Sequence, residues 1–195
     1  MMNIERHSVE DKKYLLNEDF SLNRYGLHVR LVREEDAEFI VKLRTNERNA
    51  RFIHSTNPNI ESQKAWIRNY KEREANGEDY YFIFFSNTLP VGLIRIYNID
   101  YIKKNATAGS WVCEPELPIQ IPISILIICR EIMFDMLGAE KDCFDVRKGN
   151  KQVQRTHKMM GAEIVAEDEL NYYFELPNAV FQEKKKDIIN LLNIE

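Results

Sequence analysis

His157 is the side chain in this sequence best suited to proton chemistry. Imidazole ordinarily titrates close to neutrality, so it can give or take a proton at physiological pH. Helical spacing places Val153, His157 and Met160 on one face, which turns His157 inward. An inward histidine can equally be a satisfied core residue, and both readings stay open. Arg44 has the planar fork that grips a phosphate or carboxylate, or else forms a surface ion pair. Asn150 precedes the same helix as His157, where asparagine is a good N-cap. Cys113 is read as a buried structural thiol rather than a nucleophile. The histidines at 7, 28, 54 and 157 show no ligand spacing, and Cys113, Cys129 and Cys143 form no CxxC pair. No metal site is therefore expected, and the thiols suit a reducing cytoplasm.

The elements that must position these groups are read from periodicity and punctuation. Residues 1–26 are polar and weakly periodic, an N-terminal extension. Residues 27–32 alternate like a strand, and Arg33, Glu34, Glu35 and Asp36 give the acidic opening of a helix that carries Phe39, Ile40 and Leu43. Ile60, Trp66, Ile67 and Tyr70 fit a second helix. Strands are expected at 80–85, 91–99 and 107–113. An apolar helix over 123–137 ends at Gly138, although Ile119, Ile121, Ile123 and Ile125 also alternate like a strand. A strand at 142–147, a helix at 151–160 closed by Gly161, a hairpin of 163–167 with 171–176 and a C-terminal helix at 179–192 complete the order. This is the pattern of a single-domain α/β protein: a mixed twisted sheet of about six or seven strands with helices on both faces.

Composition narrows the function. The 195 residues suit one domain, and 44% apolar with 30% charged residues is ordinary for a globular chain. A net charge of −4 and a pI near 5.7 argue against nucleic acid as a partner. The longest apolar stretch, 119–128, is broken by Gln120, Pro122 and Ser124, so no membrane span is expected. Residues 1–10 are polar and charged, unlike a signal peptide. The run Lys184, Lys185 and Lys186 reads as a solvated helix face.

Several segments resemble the GNAT superfamily of N-acetyltransferases. The opening VRLVREEDAEFIVKLRTNERNARFI looks like its first strand and helix. ESQKAWIRNY resembles its second helix, and LPVGLIRIYNID its third strand. The most specific segment, FDVRKGNKQVQRTHKMMGAEI, is similar to the strand, Asn, helix and closing Gly that end its cofactor site. The resemblance covers roughly 27–176, leaving 177–195 as an appended helix. VRKGN and THKMMGA look most like the branch that acetylates ribosomal proteins and nucleotide-linked amino sugars of surface glycans. The resemblance implies acetyl-CoA as cofactor, a small-molecule amine as acceptor and an allowance for a homodimer. It also implies a splay between the fourth and fifth strands, 107–113 and 142–147, that admits the cofactor.

The resemblance implies roles residue by residue. His157 lies where the family often has a tyrosine and would be the general acid toward the departing thiolate. Trp111 and Cys113 lie in the strand whose backbone pairs with pantetheine, and Asn150 would contact the same arm. Arg44, Asn46 and Trp66 belong to the helices that form the acceptor wall, although Trp66 also suits the core. The base is left among Asp100, Glu114 and a backbone-held water. One departure is sharp. The family's pyrophosphate loop carries glycines, whereas CEPELPIQIPISILI has none, and the glycine positions fall near Pro118 and Gln120. The N–H donors left for the phosphates are Ile119, Gln120, Ile121, Ile123 and Ser124. Two further readings stand beside the amino-sugar enzyme: a non-catalytic GNAT-like binding module, and a protein N-terminal acetyltransferase. A polyamine acceptor is less favoured.

Overall fold

The computed structural model describes residues 15–194. The extension expected over 1–26 therefore lies largely outside the described residues. Its last part does not: β1 (Ser21–Arg24) is a strand, joined to β2 (Leu27–Leu31) by a tight turn at Tyr25 and Gly26, both at positive φ. Among the described residues the sheet thus has eight strands, against the six or seven expected. The extra one escaped sequence reading because Ser21, Asn23 and Arg24 are exposed and polar, so no apolar alternation marks it.

After β2 the chain forms α1 (Ala37–Thr45), a short α2 (Glu47–Ala50) and α3 (Ile60–Ala75). Asp36 anchors the entry to α1 by accepting two bonds from the Arg30 guanidinium, at 2.7 and 2.8 Å, and one from the Arg33 amide. β3 (Asp79–Ser86), β4 (Leu89–Asp100) and β5 (Asn105–Cys113) follow as an antiparallel meander. Then come α4 (Gln120–Glu131), continued by a π turn at Ile132–Met136, β6 (Lys141–Arg147) and α5 (Lys151–Met159). The chain ends with β7 (Glu163–Glu167), β8 (Asn171–Pro177) and α6 (Asn178–Leu192). The strand order is β1-β2-β3-β4-β5-β6-β8-β7, and only β5 and β6 run parallel.

Helices cover both faces. α1 and α3 bury Ile40, Leu43, Ile67 and Tyr70 against Tyr81, Ile83 and Leu93. On the other face α4, α5 and α6 pack over Phe82, Phe84, Ile94 and Phe174. β3 feeds both layers, which is why residues 79–84 are buried without alternation. The ambiguity at 119–125 resolves as helix. The missing N–H of Pro122 falls in the first turn, where amides lack a helical partner anyway, and the Ile123 amide bonds the Ile119 carbonyl. Among the described residues no helix is long and apolar enough to cross a membrane, and no cluster of His, Cys, Asp or Glu could hold a metal.

Candidate active site

The site begins where β5 leaves β6. The two strands pair only at Asn105–Lys141 and Ala106–Asp142 and then part. The amides freed at the vertex are met by side chains: the Asp142 carboxylate accepts the Ala108 N–H at 2.9 Å, and the Thr107 hydroxyl donates to the Cys143 carbonyl at 2.7 Å. Arg130 donates from Nε to the second Asp142 oxygen at 3.0 Å, and both side chains are wholly buried. Burial pushes the Asp142 carboxyl up, against the opposing pull of Arg130 and the Ala108 amide. Beyond the vertex, Gly109–Cys113 keep β4 on one side and, among the described residues, no strand on the other. A β-bulge around Ser110, at φ 54°, bends this edge. A strand edge opening on a gap can take an extended, amide-bearing chain as an added strand.

The gap leads to the start of α4. Of the five amides expected to serve an anion, two are spent: Ile121 bonds the Pro118 carbonyl and Ile123 bonds Ile119. The Ser124 amide lies inside the helix, past its open first turn, and its side chain is buried. That withdraws Ile121 and Ser124 from the phosphate donors. The amides of Ile119 and Gln120 remain, and Leu117 in the preceding turn adds a third. None of these has a protein acceptor among the described residues. They sit at the positive end of a helix of three turns, a suitable place for an anion. In the turn before these amides, Glu116 takes the left-handed region, at φ 68°. The two carboxylates of this loop are each paired with a cation, Glu114 with Lys42 at 2.7 Å and Glu116 with Arg48 at 3.7 Å.

His157 sits behind the gap. Its Nδ1 lies 3.0 Å from Arg130 Nη2, so it must accept and the proton must be on Nε2. Its ring meets Phe144 at 4.4 Å, with Trp111 at 6.2 Å and Phe174 at 6.3 Å. Burial and then the Arg130 charge hold its pKa well below 6.5. The expectation of a near-neutral acid is therefore corrected: the imidazolium has no place in an apolar wall beside a guanidinium. Trp111 is half-buried, and its indole N–H makes no well-formed hydrogen bond among the described residues, with the Cys113 sulfur the group within reach. Burial pushes the Cys113 thiol up to about 12, which removes it as a nucleophile. Asn150 caps α5, accepting from the Val153 amide at 3.4 Å.

On the opposite face, two cavities lie under the loop 51–57. One, of about 300 Å³, spans the gap itself and is lined by Tyr97, Gly109, Ser110, Phe144 and Asp145. Gly109 is needed there, since a Cβ would stand 2.6 Å from the Tyr97 hydroxyl. The other, of about 240 Å³, is lined by Arg44, Trp66, Tyr81 and Arg95. Arg44 and Trp66 thus line one cavity. Asn46 does not: it caps α2 by accepting from the Arg48 amide. Its neighbour Asn49 does reach the site, bonding the carbonyls of Leu43 and Cys113 at 2.9 and 3.1 Å. Of the two carboxylates considered for the base, Asp100 is at the closed end of β5, occupied by the amides of Ile102 and Lys103. Glu114 is paired with Lys42. Asp145 faces the gap and was missed, because strand alternation put it on an exposed face with no motif to single it out.

Comparison with known proteins agrees with this geometry. The family model described as an acetyltransferase (GNAT) domain matches residues 27–163. The apo structure of FdhC, a nucleotide-linked sugar GNAT, is 37% identical, with a TM-score of 0.80, covering 89% of this chain and 99% of that one. The spermidine N-acetyltransferase of Vibrio cholerae, solved with CoA and spermine, is 16% identical, with a TM-score of 0.70 over 80% and 98% of the two chains. The ribosomal-protein-S5-alanine acetyltransferase of Vibrio fischeri is 15% identical, with a TM-score of 0.71 over 82% and 97%. These last two show a shared fold. The sequence finds no match among curated proteins.

Proposed function

Since this chain belongs to the GNAT family and is an acetyl-CoA-dependent N-acetyltransferase acting on a small amine, we propose that its acceptor is an amino sugar linked to a nucleotide. The observation that carries the reading is the gap between β5 and β6, with free amides at the start of α4 on one side and the 300 Å³ cavity on the other. The acceptor class is supported by the likeness to a nucleotide-linked sugar GNAT over nearly the whole of both chains.

The residues present fit acetyl-CoA. The unpaired edge of Gly109–Cys113, including Trp111 and Cys113, would hold the pantetheine arm through main-chain groups. The amides of Leu117, Ile119 and Gln120 would hold the pyrophosphate, and Asn150 would border the same arm. The bound cofactor supplies an activated acetyl group on a thiol leaving group. The acceptor amine must be neutral to attack, and Asp145, which lines the cavity together with Ser110, would take its proton. His157 is a neutral hydrogen-bond donor through Nε2, held by Arg130, not a cationic acid. Free donors in a loop without glycine weigh against a non-catalytic module, since rebuilding has kept the anion-binding amides.

Thiol release with acetyl-CoA tests the reading. A nucleotide-linked amino sugar should be acetylated in preference to spermidine and to a peptide N-terminus. Release only with spermidine or the peptide would replace the acceptor. Absence of acetyl-CoA binding by calorimetry would return the chain to a binding module.

A further inference from the structure

We propose that the 240 Å³ cavity between α1, α3 and the loop 51–57 is a binding site for the phosphate-bearing arm of the acceptor, with Arg44, Tyr81 and Arg95 as its specificity-determining residues. The proposal rests on the reading of the 300 Å³ cavity as the acceptor side of the gap.

Its walls carry no carboxylate, in a chain whose net charge is −4. Two guanidinium groups line it. Arg44 donates only to neutral oxygens, the Thr56 hydroxyl at 2.8 Å and the His54 carbonyl at 3.3 Å, and meets no carboxylate among the described residues. A guanidinium held in place by neutral acceptors keeps its charge for an incoming anion. Arg95 bonds Asp79 through Nε and Nη2 and stacks over Trp66, Tyr81 and Tyr97, which fixes its plane against the cavity floor.

The second observation is the Tyr81 hydroxyl. Tyr81 is only 2% exposed, and its oxygen makes no well-formed hydrogen bond among the described residues, with the Arg44 guanidinium the donor within reach. Leaving a buried hydroxyl unpaired costs about 1–3 kcal/mol, so such a group marks a place where a ligand completes the set. Arg44 and Arg95 lie near enough to oppose the burial that raises its pKa. Gln63, on α3, also lines the cavity with a carboxamide that meets no protein partner among the described residues.

The ligand chemistry follows. One guanidinium without a carboxylate partner, Arg44, beside the Asp79-held Arg95 and the Tyr81 hydroxyl, in a lining without an acid, recognises a phosphate ester or diphosphate and repels a polyamine. The cavity also touches the reaction gap: Arg95 stacks on Tyr97 at 5.2 Å, and Tyr97 lines the gap cavity. The loop 51–57 roofs both, with His54 in one and Thr56 in the other. An elongated acceptor with phosphate at one end and its amine at the other fits that pair of cavities.

The test is a calorimetric titration with inorganic pyrophosphate, and separately with uridine diphosphate, in the presence of saturating coenzyme A so that the start of α4 is filled. Arg44→Gln and Tyr81→Phe are compared with wild type. Arg44→Gln should weaken both probes on the order of 10- to 100-fold, the range for a lost charge-assisted hydrogen bond, and Tyr81→Phe about 10-fold. Tighter binding of uridine diphosphate than of pyrophosphate assigns the phosphate to a nucleotide arm; equal binding assigns it to a simple phosphate. Unchanged binding in both variants, or no binding by wild type, overturns the proposal. Coenzyme A affinity, measured first in each variant, should be unaltered. Its loss in wild type would sink the cofactor reading instead, so the two failures are told apart.

Discussion

Replacing His157 with glutamine separates a neutral imidazole from a near-neutral acid. Glutamine does not titrate, and its carbonyl can still accept from Arg130. In the folded chain the His157 pKa lies well below 6.5, set first by burial and then by Arg130. In the unfolded chain it returns to about 6.5. Below that value the unfolded chain binds a proton that the folded chain refuses, so stability falls as pH falls. The slope is at most one proton, about 1.4 kcal/mol per pH unit. Between about pH 7.5 and 5.5 the unfolded histidine passes from mostly neutral to mostly protonated, and the slope integrated over both units makes wild type lose about 1.4 kcal/mol more than the variant. In a chain of this size that is about 3–6 °C in Tm. His7, His28 and His54 are present in both proteins and cancel. Urea unfolding of both proteins at the two pH values reads the difference directly. Equal losses would mean that folded His157 protonates like a free histidine, and would restore it as a cationic acid for catalysis. If the neutral form holds, the pH profile of kcat should show no group that disappears with the substitution.

Three other perturbations follow from the same site. Asp142→Asn keeps the shape but leaves the Arg130 charge buried without its carboxylate, and should cost about 3–5 kcal/mol in urea unfolding, against no change if the vertex tolerates water. Ile119→Pro deletes one free amide at a φ of −56° that suits the proline ring. Coenzyme A affinity should fall about 10- to 100-fold with Tm nearly constant, and an unchanged affinity would move the pyrophosphate elsewhere. Asp145→Asn should lower kcat on the order of 10²-fold with coenzyme A affinity kept; a rate near wild type would leave the proton to water.

Much of this molecule is legible in single elements. The acidic turn at 34–36, the apolar run over 80–84, Gly138 and Gly161 after their helices, and the Asn150 cap each act within a few residues, where periodicity and capping leave a direct mark. The motifs around Gly92 and Asn150 were enough to suggest the family. The placement of charge was not legible. Arg130 reads as a last-turn cation and Asp142 as the polar start of a strand, yet they meet in the core because the parting of β5 from β6 leaves the Ala108 amide to be satisfied. That meeting also fixes the His157 tautomer and denies it a proton. Tyr81 and Arg44 likewise lie far apart in the chain, and only the packing of α1 and α3 on β3 makes them one cavity. Periodicity records which face a residue shows. Whether a buried polar group is paired depends on strands and helices brought together from distant parts of the chain, so the fold could be inferred from sequence while the protonation and specificity of its site required the tertiary structure.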